Sequence, residues 1–316
     1  MSEPDPLVVV VGSVNIDHVV VADAFPSPGE TVRGRTARVT LGGKGANQAV
    51  AAASCGARTA MVARVGDDAA AERARDGLAR AGVDVQGVTT VPGAETGTAW
   101  ITVAAGDNGI VVVPGANHRW PATGDPTAGT GAAAAVLLAQ LEVPLEVVTR
   151  AALACRGRFL LNAAPATALP DELVARCDVL LVNEHEQAVV AGRDVGGAKD
   201  PADPAAVREA HRALRARGAR AVVTTLGAAG AVVTDTDGTT TALPALPATV
   251  VDTTGAGDAF AGVLAARLAA GDPLLTAARL GNAAGSLTVR VPGARHPHLD
   301  LDTLRAVAAG GHPGRD

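Results

Sequence analysis

Short, nearly continuous apolar runs alternate with alanine-rich helical patterns along most of this chain, and that alternation restricts its fold more than any other feature. Strand-like runs fall at residues 7–11, 59–65, 134–140, 159–162, 179–183, 221–225 and 230–234. Helical periodicity occupies 47–55, 69–81, 145–155, 169–176, 184–191, 205–217, 258–270 and 274–289. Strands buried on both faces must be apolar throughout, and helices between them return the chain to the same edge. The pattern therefore predicts an α/β fold, with a central, mostly parallel sheet and helices on both faces. Ligands of such sheets bind beyond the carboxyl ends of the strands. Residues 17–21, 31–40, 97–103 and 110–113 are strand-like with no helix between partners, so they predict a small separate β-sheet. Formed by about 13–40 and 96–114, it is expected to cover the mouth of the main sheet as a lid rather than extend its edge. Asp107-Asn108-Gly109 predicts the turn of the second hairpin. Residues 1–316 otherwise read as one domain without repeats, with a surface loop at 121–131 rich in Gly, Thr, Ala and Pro.

Composition excludes several classes. With 48% hydrophobic residues the chain can build a full core, but aromatics are 2% and Tyr is absent, so Ala, Val and Leu must fill it. A net charge of −5 without a long basic run, and without aromatic stacking platforms, argues against nucleic acid as a partner. The longest apolar runs, such as residues 132–139, fall short of the ~20 residues a membrane span requires. Cys55, Cys155 and Cys177 lack metal-ligand spacing and suit buried thiols in a reducing cytoplasm. The acidic Met1-Ser2-Glu3-Pro4-Asp5-Pro6 start lacks the basic region of a signal peptide.

Chemistry concentrates in Asp252-Thr253-Thr254-Gly255-Ala256-Gly257-Asp258-Ala259-Phe260. An apolar run at 246–251, read as a strand, precedes it and a helix follows. Such a small-residue turn points unpaired backbone N–H groups, and the positive helix end, at one spot suited to phosphate. Asp258 would repel an anion there, so its presence calls for a reason: taking the proton from a hydroxyl that attacks a phosphoryl group. Leu41-Gly42-Gly43-Lys44-Gly45-Ala46-Asn47-Gln48 opens another helix and permits close backbone approach to a ligand, although it is not a Walker A loop. Asn15 and Asp17, two apart after the first strand, point the same way and suit a hydroxyl-rich ligand; as isolated residues they equally suit a turn. In Asn183-Glu184-His185-Glu186, Asn183 and Glu186 fit either a water-mediated magnesium site or a helix cap, or both. Thr225-Leu226-Gly227-Ala228-Ala229-Gly230 reads equally as a nucleotide-wrapping loop or a plain strand-to-strand turn. His185, His296 and His298 read as surface residues.

These motifs together resemble the ribokinase-like sugar kinases, the phosphofructokinase-B family, from about residue 7 to 307. Asp252–Asp258 resembles the family's C-terminal signature and Gly42–Asn47 its N-terminal one. Asn15-x-Asp17-His18, Phe25-Pro26-x-Pro28-Gly29-Glu30-Thr31-Val32 and Gln140-Leu141-Glu142 resemble its ribose-phosphorylating members. The resemblance implies that Asn15, Asp17, Gly43, Lys44, Gly45, Asn47 and Glu142 bind sugar hydroxyls. Asp258 would be the base that activates O5, and Gly255, Ala256 and Gly257 would form the anion hole. Asn183, Glu186, Thr225, Leu226, Gly227, Ala228, Ala229, Gly230, Gly257 and Asn282 would serve ATP and its Mg2+. A potassium ion would be held by Asp252 and backbone oxygens near Thr254, Thr288, Val291 and Gly293; the family's frequent last ligand, a serine, is missing from Ala294-Arg295-His296-Pro297. The lid strands are expected to pair across a homodimer. Other kinases of the family, for deoxyribose, fructose, a keto-deoxy sugar acid or a nucleoside, remain alternatives, although Phe25, Phe159 and Phe260 make a poor nucleobase pocket. A sugar-binding regulator without catalysis is disfavoured by the intact Asp258. An oxidoreductase is disfavoured because no Gly-x-Gly-x-x-Gly follows residues 7–11.

Overall fold

The computed structural model describes residues 7–105, 107–130, 134–192 and 203–310. The N-terminal segment 1–6, Gly106 of the hairpin turn, the last residue of the 121–131 loop and the first two of the 132–139 run lie outside them. Strands β1 (Leu7–Val11), β4 (Arg58–Val65), β5 (Val83–Thr90), β8 (Ala134–Ala139), β9 (Arg158–Asn162), β10 (Val179–Asn183), β11 (Val222–Thr225), β12 (Ala231–Thr234) and β13 (Thr240–Leu243) form one nine-stranded sheet. Its order is β13-β12-β11-β10-β9-β8-β1-β4-β5, and all pairs from β11 to β5 are parallel. Only β12 and β13, at one edge, run antiparallel to their neighbours. A second sheet joins β2 (Asn15–Ala22), β3 (Gly34–Gly42), β6 (Gly97–Ala104) and β7 (Asp107–Val113) in the order β3-β2-β6-β7.

The period-2 geometry of the strands divides the core into two layers. Val8 and Val10 of β1 enter a layer with α1 (Lys44–Ser54), α7 (Ala256–Ala269), α8 (Leu274–Thr288) and α9 (Leu301–Ala308). Leu7, Val9 and Val11 enter the opposite layer, with α3 (Leu145–Ala154), α4 (Asp171–Arg176) and α6 (Pro204–Ala216). Small residues do the work that aromatics do elsewhere. At Gly262 of α7 a Cβ would lie 2.3 Å from the Gln48 carbonyl oxygen of α1, so the missing side chain lets these helices close together. That contact brings the starts of α1 and α7 side by side. Helix α2 (Ala69–Arg80) is capped by Asp68, whose carboxylate accepts from Ala71 N–H at 2.9 Å, as expected for an N-cap.

Two sequence expectations change, and three elements are present that the pattern did not reveal. Residues 246–251 form no strand; Val250 and Val251 are exposed. β5 and β13 escaped pattern reading because edge strands bury only part of their surface and carry polar residues. Helix α9 was also missed, since only Leu304 and Val307 are buried on it. The β6–β7 register pairs Ala104 with Asp107, so Asp107-Asn108-Gly109 lie within β7 instead of forming the turn. Ala105 takes the positive φ of 54° that the short turn demands.

Candidate active site

Gly255 ends the approach to α7 in the left-handed region, at φ 76°. A Cβ there would come within 2.2 Å of the Ala294 carbonyl oxygen, so only glycine satisfies both the dihedral and the packing. Ala256, Gly257 and Asp258 form the first turn of α7, where backbone N–H groups lack partners inside the helix. A Cβ at Gly257 would meet nothing within 4 Å, which leaves this turn open to a ligand.

Asp258 is buried, and its carboxylate is fixed by two amides from the start of α1: Asn47 Nδ2 donates at 3.2 Å and Gln48 Nε2 at 2.9 Å. Gln48 is itself oriented by Gln140, whose Nε2 donates to Gln48 Oε1 at 2.7 Å. Burial pushes the Asp258 carboxyl above its ordinary range, while the Lys44 charge and the two amides pull the other way. The Asp258 charge in turn raises Lys44, overcoming the opposing effect of burial. The result is a carboxylate that is held in place yet more basic than a surface aspartate.

Beside this pair lies a polar cluster built by the second sheet and the loop after β8. Asn15 and Asp17 both belong to β2, and Asn15 Oδ1 accepts from Asn117 Nδ2 at 2.7 Å. Asn117 also bonds the Val14 backbone in both directions, which fixes Asn15 from behind. Glu142 Oε2 accepts from Ser13 Oγ at 2.5 Å and from Lys44 N–H at 3.0 Å. Gly43 has φ 87°, and a Cβ on Gly45 would lie 2.6 Å from Ser13 N, so the glycine loop lies directly on the strand end. Asp17 Oδ1 and Asn47 Oδ1 are buried without hydrogen-bond partners in this cluster. Burial first, and then Glu142, push Asp17 up to about 6.

On the other side of Asp258 opens a cavity of about 830 Å³. Lys44, Asn183, Glu186, Thr225, Gly227, Ala228, Gly230, Gly257, Asp258 and Asn282 line it, so most residues expected around a nucleotide meet there. Leu226 and Ala229 instead close the turn between antiparallel β11 and β12: Leu226 N–H donates to the Gly230 carbonyl and Ala229 N–H to the Leu226 carbonyl. Asn183 and Glu186 form the helix cap that the sequence allowed. Asn183 Oδ1 accepts from Glu186 N–H, and Glu186 Oε2 from Asn183 N–H, both at 2.8 Å, at the start of α5 (Glu186–Val190). Burial raises the Glu186 carboxyl above its usual range, against the pull of the Asn183 hydrogen bond. The irregular segment misread as a strand supplies the apolar wall, with Leu246, Pro247 and Val250. Asn282 Nδ2 ties it to α8 through the Pro244 carbonyl at 2.8 Å.

Of the residues expected around a monovalent cation, Thr254 and Gly293 meet Asp252 directly. Asp252 accepts from Thr254 N–H at 2.9 Å and Gly293 N–H at 2.8 Å, and both Val251 and Asp252 N–H donate to the Val289 carbonyl. Burial alone would raise Asp252, but the Thr254 and Gly293 hydrogen bonds outweigh it and keep the carboxyl below its ordinary range. Thr288 Oγ1 is turned away to the Ala284 carbonyl, so any ligation there would come from its backbone.

Sequence reading did not assign roles to Gln48, Gln140 or Asn117. Asn117 had a signal in Pro114-Gly115-Ala116-Asn117: Gly115 has φ 52° and a Cβ there would meet the Glu95 carbonyl oxygen at 2.4 Å, which marks a constrained turn. The three thiols are free; Cys55 and Cys177 are buried and Cys155 half-buried, short of the full burial expected.

A fixed buried carboxylate at a helix-end cradle, between a nucleotide-sized cleft and a cluster of hydroxyl-binding groups, defines a phosphotransferase acting on a small polyol. The chain matches the pfkB family carbohydrate kinase pattern over residues 5–301 and belongs to that family. It is 35% identical over 291 residues to ribokinase of Haemophilus influenzae, covering 90% of this chain and 93% of that protein. With ribokinase of Bacillus subtilis it shares 36% over 293 residues, covering 90% and 94%. Its fold superimposes on Arabidopsis thaliana ribokinase complexed with ribose and ATP with a TM-score of 0.86 at 30% identity, covering 96% of this chain and 99% of that one.

Proposed function

We infer that this protein is an ATP-dependent kinase that phosphorylates D-ribose at O5, giving D-ribose 5-phosphate and ADP. The observation that carries this reading is the position of Asp258: one wall of its site is the nucleotide-sized cavity, the other the Asn15–Asp17–Glu142 cluster. Asp258 takes the O5 proton, and its orientation by Asn47 and Gln48 keeps the base in place during transfer. Gly255, Ala256 and Gly257 shelter charge on the moving phosphoryl group, where preorganised N–H groups act without water competing. Asn15, Asp17, Gly43, Lys44, Gly45, Asn47 and Glu142 hold the sugar; the partnerless oxygens of Asp17 and Asn47 are acceptors that a sugar hydroxyl satisfies.

Glu186 and Asn183 line the cavity and would hold a magnesium ion through water, in keeping with the oxygen ligands and retained waters this ion prefers. When bound, it would screen phosphate charge. Asp252, with backbone oxygens near Thr254, Thr288, Val291 and Gly293, offers an all-oxygen set fitting potassium, and Gly293 leaves open space beside it. The second sheet acts as the lid. Its exposed Trp100 and Ile110 to Val113 support pairing of two lids in a homodimer. A cytoplasmic location agrees with three unpaired thiols, and no helix among the described residues is long and apolar enough to cross a membrane.

The test is coupled detection of ADP with Mg2+ and ATP over ribose, deoxyribose, fructose, a keto-deoxy sugar acid and nucleosides, in potassium and in sodium salts. Ribose gives the highest kcat/KM, and sodium lowers the rate. Absence of ribose-dependent ADP release refutes the reading. A preference for deoxyribose favours the runner-up, in line with the 35% identity over 264 residues to deoxyribokinase of Salmonella typhi.

A further inference from the structure

We propose that Arg295 is a positioning residue for the sugar: it holds Asp17 as a charged hydroxyl acceptor and so governs affinity for the sugar while leaving the nucleotide untouched. This deepens the ribose-kinase reading and rests on it.

Arg295 follows the Gly293-Ala294 segment that packs on Gly255, and its guanidinium reaches across to the lid, where Nη2 donates to the Leu41 carbonyl of β3. The next residue, Gly42, is the surface on which Asp17 rests. A Cβ at Gly42 would lie 2.1 to 2.2 Å from the three carboxyl atoms of Asp17, so the carboxylate occupies the space of the missing side chain. Arg295 thus grips the strand at the point where Asp17 is seated.

Charge explains why a cation is needed there. Glu142, from the loop after β8, and Asp258, from α7, act on Asp17 as like charges, and Arg295, seated on the Leu41 carbonyl next to Gly42, acts on it as the opposing one. Lys44 is committed elsewhere, first to Asp258 and then to Glu142 and Glu186. Burial and Glu142 already bring Asp17 to about 6, with Arg295 acting against them. Without the guanidinium, a larger share of Asp17 carries a proton near neutrality and donates where the pocket needs an acceptor. Asp17 Oδ1 is buried with no donor, which is costly for a charged oxygen unless a ligand hydroxyl fills the place. Arg295 is itself half-buried, so solvent screens the interaction only partly.

Arg295→Gln removes the charge and, with its shorter side chain, also gives up the reach to the Leu41 carbonyl, whereas Arg295→Lys keeps the charge; the pH profile and the double variant with Asp17 then separate charge from bracing. R295Q raises the ribose KM at least about tenfold, leaves the ATP KM and kcat within about threefold, and moves the acid limb of kcat/KM for ribose upward by about one pH unit. R295K stays near wild type in ribose KM. Because Asp17→Asn removes the charge that Arg295 serves, adding R295Q to it costs little more. An unchanged ribose KM in R295Q overturns the proposal. Equal impairment of R295Q and R295K, or additive losses with D17N, also overturns it. If R295Q fails to fold, the R295K result still decides: a lost sugar affinity in that folded, charged variant refutes the charge role. A wild-type enzyme without ribose-dependent turnover sinks the ribose-kinase reading itself, which is a separate outcome.

Discussion

Replacing Asp258 by Asn removes the base while retaining nearly the same shape. The hydrogen-bond network predicts that the fold tolerates it. Gln48 needs no rearrangement, because its Oε1 already accepts from Gln140 while its Nε2 points at residue 258. It therefore continues to donate to the oxygen of the new amide. The new NH2 group then faces Asn47, whose own Oδ1 has no partner and can rotate to accept. Both hydrogen bonds survive, and removing a buried charge offsets part of the loss of the Lys44 attraction. The melting temperature should stay within about 4 °C of wild type, the shift expected for roughly 1 kcal/mol in a chain of this size. Turnover has no such compensation. A positioned general base contributes about 10²–10⁴ in rate, or about 2.7–5.5 kcal/mol of barrier. Coupled ADP release at saturating ribose and ATP should show that loss in kcat, and calorimetry should show ATP affinity within about threefold. A folded Asp258→Asn variant with kcat within tenfold of wild type would refute the assignment.

Gly255→Ala places a side chain at φ 76° and 2.2 Å from the Ala294 carbonyl oxygen. The left-handed conformation costs about 1–2 kcal/mol and the overpacking about 1–3. Differential scanning calorimetry should show a lowered melting temperature, with most turnover lost. Asn117→Ala leaves Val14 N–H, the Val14 carbonyl and Asn15 Oδ1 without that partner, so it should cost about 1–3 kcal/mol and raise the ribose KM more than the ATP KM. His211 is buried between Thr234 and Thr224, each 2.7 Å from a ring nitrogen, and burial lowers it to about 4. Because its folded value lies below the unfolded ~6.5, the stability from keeping it neutral is present above pH 6.5 and lost as pH falls toward 4, about 3 kcal/mol in all. Urea unfolding of wild type and His211→Gln from pH 7 to 4 should show the two stabilities converging as acid is added; a constant difference would refute the argument.

How much was legible depended on whether local rules or distant contacts decide each feature. The seven strand runs read from pattern all occur, within one residue at each end, because strands buried on both faces must be apolar and short. The Asn183–Glu186 cap and the turn into α7 were legible because capping chemistry and glycine conformational freedom act over three or four residues. The reading failed where burial is partial or the backbone irregular. β5 and β13 bury too little to show a pattern, and the segment 246–251, apolar enough for a strand, instead puts Leu246, Pro247, Ala248 and Val250 in the wall of a cavity.

Residue identity along the chain was sufficient to determine a parallel α/β sheet, the helix-end cradle at Gly255–Asp258 and the polar character of the Asn15–Asp17 and Gly43–Asn47 segments, since each follows from periodicity or from chemistry within one turn. Only tertiary structure decided that Asn47 and Gln48 hold a carboxylate more than two hundred residues away, that Asn117 braces Asn15, and that Arg295 reaches Leu41 beneath Asp17. Those contacts depend on how closely α1 packs on α7 and where the second sheet sits against the first. Packing of that kind is a property of summed volumes and missing side chains, such as Gly262 against the Gln48 carbonyl, and no single stretch of sequence encodes it.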